Sequence, residues 1–68
     1  MNEKFSIKLG KRLKEERENA GLTQLELAEK AGINPNYYAI VERGEKSISY
    51  ERLEKILKVL NIKSLDID

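Results

Sequence analysis

The sequence predicts an all-α fold: a compact bundle of four helices, with room for at most a fifth. Three observations carry this reading. Apolar residues recur at three- and four-residue spacing through most of the 68 positions. Glycines and capping residues interrupt that pattern where helices would start and stop. Glu, Lys and Leu, all good helix formers, are the commonest residues. A chain this short buries only about 60% of its unfolded surface, so its margin of stability is thin. Residues 1–68 read as a single domain, without repeat, linker or low-complexity tract.

The first helix is expected over about residues 3–20, with Phe5, Leu9 and Leu13 spaced four apart on one stripe. Gly10 weakens it, and Gly21 suits the left-handed position just past its end. The second helix begins after Thr23. "TQLE" is a capping box, in which Thr23 caps the amide three residues on and Glu26 reaches back. Gly32 closes that helix, because glycine takes a positive φ without steric cost. The third opens with Asn34 as N-cap and Pro35 in the first position, where a missing N–H does no harm, and stops at Gly44. Ser49 caps a fourth helix carrying Leu53, Ile56, Leu57 and Leu60 at i, i+3, i+4 and i+7. The tail "NIKSLDID" adds one further turn at most.

Helices two and three are too short to hold in water alone. The longer first and fourth helices must support them. Such an arrangement makes sense if the third helix is held out at a fixed angle to touch something.

Composition narrows what that something is. The chain is 40% hydrophobic and 37% charged, which suits a soluble globular protein. No apolar run approaches the roughly 20 residues needed to cross a bilayer. The first ten residues, "MNEKFSIKLG", lack the apolar core of a secretory signal, so a cytoplasmic location is expected, with no membrane partner. There is no cysteine and no histidine, and the carboxylates are scattered over helix surfaces. Catalysis, a bound metal, a cofactor and a small-molecule ligand are therefore not expected. The net charge is only +1, from 13 basic and 12 acidic residues, with a modest basic excess of six to four over residues 1–20. Nucleic-acid binders usually carry a clearer excess, so charge alone does not point to DNA.

The motifs do. Gln24 opens the second helix, Ala28 follows four residues on, Gly32 sits in the turn, and Ile33, Tyr38 and Val41 take buried positions. "REN-AG-LTQ" precedes them; "ERG" at 42–44 and Leu53, Ile56, Leu60 and Ile62 follow. Over residues 7–62 this pattern resembles the helix-turn-helix of the lambda-repressor-like family. That family includes phage repressors, XRE-type bacterial regulators and the controller proteins of restriction–modification systems. The resemblance implies a four- to five-helix DNA-binding fold with helix 3 in the major groove of double-stranded DNA and helix 2 crossing the backbone.

Around helix 3, at about 100° per residue, Tyr38, Val41 and Glu42 share one side, while Asn36, Ala39, Ile40 and Arg43 cluster on the other. By resemblance, Pro35, Asn36, Ala39 and Ile40 face base edges, and Thr23, Gln24, Tyr37, Arg43, Lys46 and Ser47 face phosphate. The chemistry fits unevenly. Asn36 suits bidentate contact with adenine, and the start of helix 2 favours an anion. Gln24 and Asn36 also read as ordinary solvated residues, and Arg43 equally favours the negative end of its own helix. Tyr38 occupies a core aliphatic position of the family. Arg17 and Glu42 match a partly buried ion pair of phage repressors, against the plainer reading of two solvated charges.

The sequence departs from the family at Pro35, Ala39 and Ile40, where Gln, Arg, Thr or Ser are frequent. The fifth helix, often a dimer interface, is almost absent. The leading expectation is a sequence-specific transcriptional regulator, acting as a homodimer on a palindromic operator, with Leu65, Ile67 and part of helix 4 as the dimer surface. The alternative is a protein-interaction module of the same fold, an antitoxin-like component, which the apolar Leu25 and Ile40 would suit.

Overall fold

The structure, a computed structural model, describes residues 3–63 and 65. It contains four helices: α1 (Glu3–Asn19), α2 (Gln24–Ala31), α3 (Pro35–Glu42) and α4 (Tyr50–Leu60). No strand occurs among the described residues.

Local chemistry sets each boundary. Thr23 Oγ1 accepts from the Glu26 amide at 3.0 Å, and Glu26 Oε1 accepts from the Thr23 amide at 2.9 Å, which closes the capping box. Gly32 ends α2 at φ 72°, and the Ile33 amide donates back to the Ala28 carbonyl at 2.9 Å. Two residues later Asn34 Oδ1 accepts from the Tyr37 amide at 3.0 Å and starts α3. Ser49 Oγ accepts from the Arg52 amide and starts α4, which ends at Asn61 with φ 60°. Residues 62, 63 and 65 are not helical, so no fifth helix forms among the described residues.

The core draws on all four helices: Leu9 and Leu13 from α1, Leu27, Ala28 and Ala31 from α2, Tyr38 and Val41 from α3, and Ile56 from α4. α3 packs on both α1 and α2, and α2 also packs on α4. Ile33, read from sequence as buried, is half-buried at the edge of this core.

Two side chains of the expected stripes lie elsewhere. Phe5 is 45% exposed, although it shares its spacing with Leu9 and Leu13. Leu57 is half-buried and outside the core cluster. The cause is common to both, since α1 and α4 are not a closely packed pair. An open apolar groove of about 620 Å³ runs between them, lined by Phe5, Leu53, Leu57, Ile62 and Leu65 among others. Leu65 packs partly against the core at the edge of this groove and remains half-exposed; Ile67 lies outside the described residues.

Gly10 has a role that helix propensity does not indicate. A Cβ at Gly10 would overlap the Glu42 carbonyl oxygen and stand 2.8 Å from that of Val41. α1 therefore crosses the last turn of α3 backbone to backbone. In a free helix Gly10→Ala would stabilise by about 1 kcal/mol. Here the clash is with main-chain oxygens that cannot rotate away, and overpacking of this kind costs about 1–3 kcal/mol or more. We expect the variant to lose about 2 kcal/mol net, lowering the thermal midpoint by roughly 10 °C at 4–8 °C per kcal/mol. A midpoint at or above wild type, followed by far-ultraviolet circular dichroism, would show that the helices do not cross there.

Candidate nucleic-acid interface

The inner side of α3 carries a buried charge. Glu42 is the last residue of the helix, and its carboxylate lies under the surface beside Arg17 of α1, the two being 7% and 9% exposed. Arg17 Nε donates to Glu42 Oε2 at 2.7 Å and Nη2 to Oε1 at 3.2 Å, a bidentate fork that sets distance and plane together. Arg17 Nη1 donates to the Leu22 carbonyl at 2.8 Å, tying the end of α1 to the start of the motif.

Two further donors complete the set. The Tyr38 hydroxyl, four residues earlier on α3, donates to Glu42 Oε2 at 2.5 Å. Gln24 Nε2, at the start of α2, donates to Oε1 at 2.9 Å. No buried side-chain polar atom among the described residues lacks a partner. Burial by itself pushes the Glu42 carboxyl up, but hydrogen bonds from Arg17, Tyr38 and Gln24, with the Arg17 charge, outweigh it and hold it below the ordinary glutamate range. The same bond to Glu42 raises Arg17, against its own desolvation. Tyr38 is raised by burial and by its bond to the carboxylate, so its proton stays on the ring oxygen.

The outer side of α3 is left clear. Asn36 and Arg43 are exposed; Pro35, Ala39 and Ile40 are partly so, and Ile40 is not among the side chains packed against the core. Arg43 donates to Glu45 at 3.2 and 3.3 Å in an exposed pair. A pair so open to water is worth little and gives way easily to a stronger anion. Lys46 and Ser47 follow in the exposed loop after α3.

Other candidate phosphate contacts are engaged within the fold. The Tyr37 hydroxyl donates to the Ser47 carbonyl at 3.2 Å, joining α3 to that loop and using its single proton. The Gln24 amide is given to Glu42, and Thr23 to its capping box. What α2 still offers at its start are the amides of Gln24 and Leu25, which helix geometry leaves without a carbonyl of their own.

Two of the contacts that sequence reasoning missed involve the tyrosines of α3. One is the Tyr38–Glu42 bond, whose signal was the four-residue spacing on a single helix face. The other is Arg52 of α4, whose guanidinium lies over the Tyr37 ring at 5.4 Å from its centroid.

The sequence profile of the helix-turn-helix family matches residues 13–67. The chain belongs to that family, in its lambda-repressor-like branch. It is 41% identical over 56 residues to the HTH-type transcriptional regulator ImmR of Bacillus subtilis, spanning 82% of this chain but 44% of that protein, less than half its length. Among solved structures it resembles the restriction–modification controller protein C.AhdI of Aeromonas hydrophila, with TM-score 0.83 and 36% identity over 85% of this chain and 88% of that one. It also resembles the biofilm master regulator SinR, solved in complex with DNA, with TM-score 0.78 and 38% identity over 81% and 89% of the two chains.

Breaking the buried pair strands the Arg17 guanidinium, so Glu42→Ala should cost about 3 kcal/mol or more. A thermal midpoint within a degree or two of wild type would show the pair to be solvated. The pH dependence has a defined sign. A carboxyl held lower in the folded than in the unfolded state contributes stability that is present above the unfolded value of about 4.3 and lost as pH falls through the folded value. Wild type should therefore weaken in urea titrations below about pH 4, and Glu42→Gln should lack that component of the acid response.

Proposed function

We propose that the chain is a sequence-specific, double-stranded-DNA-binding transcriptional regulator that acts in the cytoplasm as a homodimer on a two-fold symmetric operator. One observation carries the reading: α3 is locked through its inner side while Asn36, Ala39, Ile40 and Arg43 stand clear on the other. A helix is held this way when its outer face must meet a surface at a set angle. The family, and a similar structure solved with DNA, support the major groove as that surface. Pro35 and Asn36 at its leading end then meet base edges, and Arg43, Lys46, Ser47, Tyr37 and the start of α2 line the backbone. Pairing follows from length. A helix of eight residues is about 12 Å long and reads few base pairs, whereas two half-sites about 34 Å apart multiply the specificity. The apolar groove between α1 and α4, with Leu65 at its edge, provides a surface for the second copy.

Duplex binding should weaken linearly in log K against log salt. Neutralising about three to five phosphates per monomer gives a slope of about −2.7 to −4.5, at about −0.9 each. A flat response, or no preference among selected sequences, would sink the DNA reading in favour of an apolar protein contact.

Ile40 cannot hydrogen-bond a base edge but can pack on the C5-methyl of thymine, beside an adenine read by Asn36. Replacing that thymine by uracil removes only the methyl. We expect a loss on the order of 1 kcal/mol in wild type that vanishes in Ile40→Ala. Equal losses in both proteins, or none in either, would show that Ile40 does not read the base.

A further inference from the structure

A second cleft lies at the leading end of α3, and none of the side chains assigned to base edges lines it. It has a volume of about 430 Å³ and is lined by Gly32, Ile33 and Asn34 of the α2–α3 turn, Tyr37 of α3, and Arg52 and Lys55 of α4. No acidic residue lines it. The two cations sit three residues apart on one helix, so their side chains rise from the same face.

Pairing state sets Arg52 apart from the other arginines. The chain has four arginines. Arg12 is paired with Glu16, Arg17 with Glu42, and Arg43 with Glu45. Arg52 has no carboxylate partner among the described residues, and neither does Lys55. Arg52 is nevertheless placed. Its guanidinium rests over the Tyr37 ring, and Nη1 reaches Ser49 Oγ at 3.5 Å. Tyr37 is itself pinned to the loop by its bond to the Ser47 carbonyl. A cation held by an aromatic face and a hydroxyl, in a chain where acidic residues nearly equal basic ones, keeps its charge available for an outside anion.

We propose that Arg52 and Lys55 together bind one phosphate of the DNA backbone, on the strand that passes the leading end of α3. The assignment rests on the DNA-binding function proposed above and adds to it a contact made from α4. Ring stacking leaves the guanidinium edge free, and that edge matches phosphate oxygens in a bidentate way. Lys55 adds a point charge beside it. Because the contact is to backbone and not to bases, it should contribute affinity and register without sequence preference.

The test uses the full chain and two duplexes, a selected operator and a scrambled one, titrated from 50 to 300 mM salt. Arg52→Gln and Lys55→Gln should each weaken operator binding roughly 5–10-fold near 0.1 M salt and make the salt slope shallower by about 0.9 for the arginine change. The operator-to-scrambled ratio should stay at its wild-type value. Arg52→Lys should recover most of the slope, since it restores the charge. Glu51→Gln, on the same helix but outside the cleft, should not reproduce the loss. Circular dichroism on each variant separates folding from binding, because both cations are exposed and neither holds the core. Wild-type binding with unchanged slopes in both cleft variants would overturn this assignment alone. Absence of salt-dependent duplex binding by wild type would overturn the DNA reading, and the assignment with it.

Discussion

The Glu42 carboxylate receives hydrogen bonds from α1, α2 and its own helix at once, and the angle at which α3 stands depends on it. Apolar contacts alone do not set that angle. Leu13, Leu27 and Val41 fill volume, and side chains of that kind repack with small changes in helix orientation at modest cost. A forked arginine bond admits one distance and one plane. The desolvation of two buried charges commonly cancels their attraction, so the network contributes geometry more than net stability. That suits an element of only eight residues whose outer face, with Asn36 exposed and Ile40 outside the core, is left without support.

The same economy governs the other polar groups around α2 and α3. Gln24, Tyr37 and Thr23 each have the chemistry to meet a phosphate, and each is spent on internal order. Gln24 completes the Glu42 shell, Tyr37 fastens the loop after α3, and Thr23 caps α2. In the fold they hold backbone amides and neighbouring side chains in place. With a net charge of +1, placement of a few cations matters more here than their number.

Much of this was legible in the sequence because it is local. The caps of α2, α3 and α4 follow from Thr23, Asn34 and Ser49, whose partners lie three residues away, and the turn at Gly32 from a single backbone angle. Apart from the Tyr38–Glu42 bond within α3, what sequence reading missed is non-local. Gly10 looks like a defect in α1 until the carbonyls of α3 are known to lie against it. Phe5 continues the stripe of Leu9 and Leu13, yet whether it is buried depends on how closely α4 approaches, which no spacing encodes. Gln24 reads as a surface residue because its partner is 18 positions away. The Arg17–Glu42 pairing was reached by family resemblance, since neither residue is unusual in its own helix.

The backbone contact between α1 and the end of α3 also bears on how the fold opens. Beyond Gly10 on Glu42 and Val41, a Cβ at Gly44 would stand 2.8 Å from Ile7 Cα, so two successive turns of α1 abut the last turn and exit of α3. Helices of two turns ordinarily fray on their own, and their amides exchange with solvent through small local openings. α3 has little freedom to do so, because lifting its end parts main chains rather than side chains and exposes a charged pair with them. Its hydrogen-exchange protection should therefore track that of α1, making α3 part of the last cooperative unit to open.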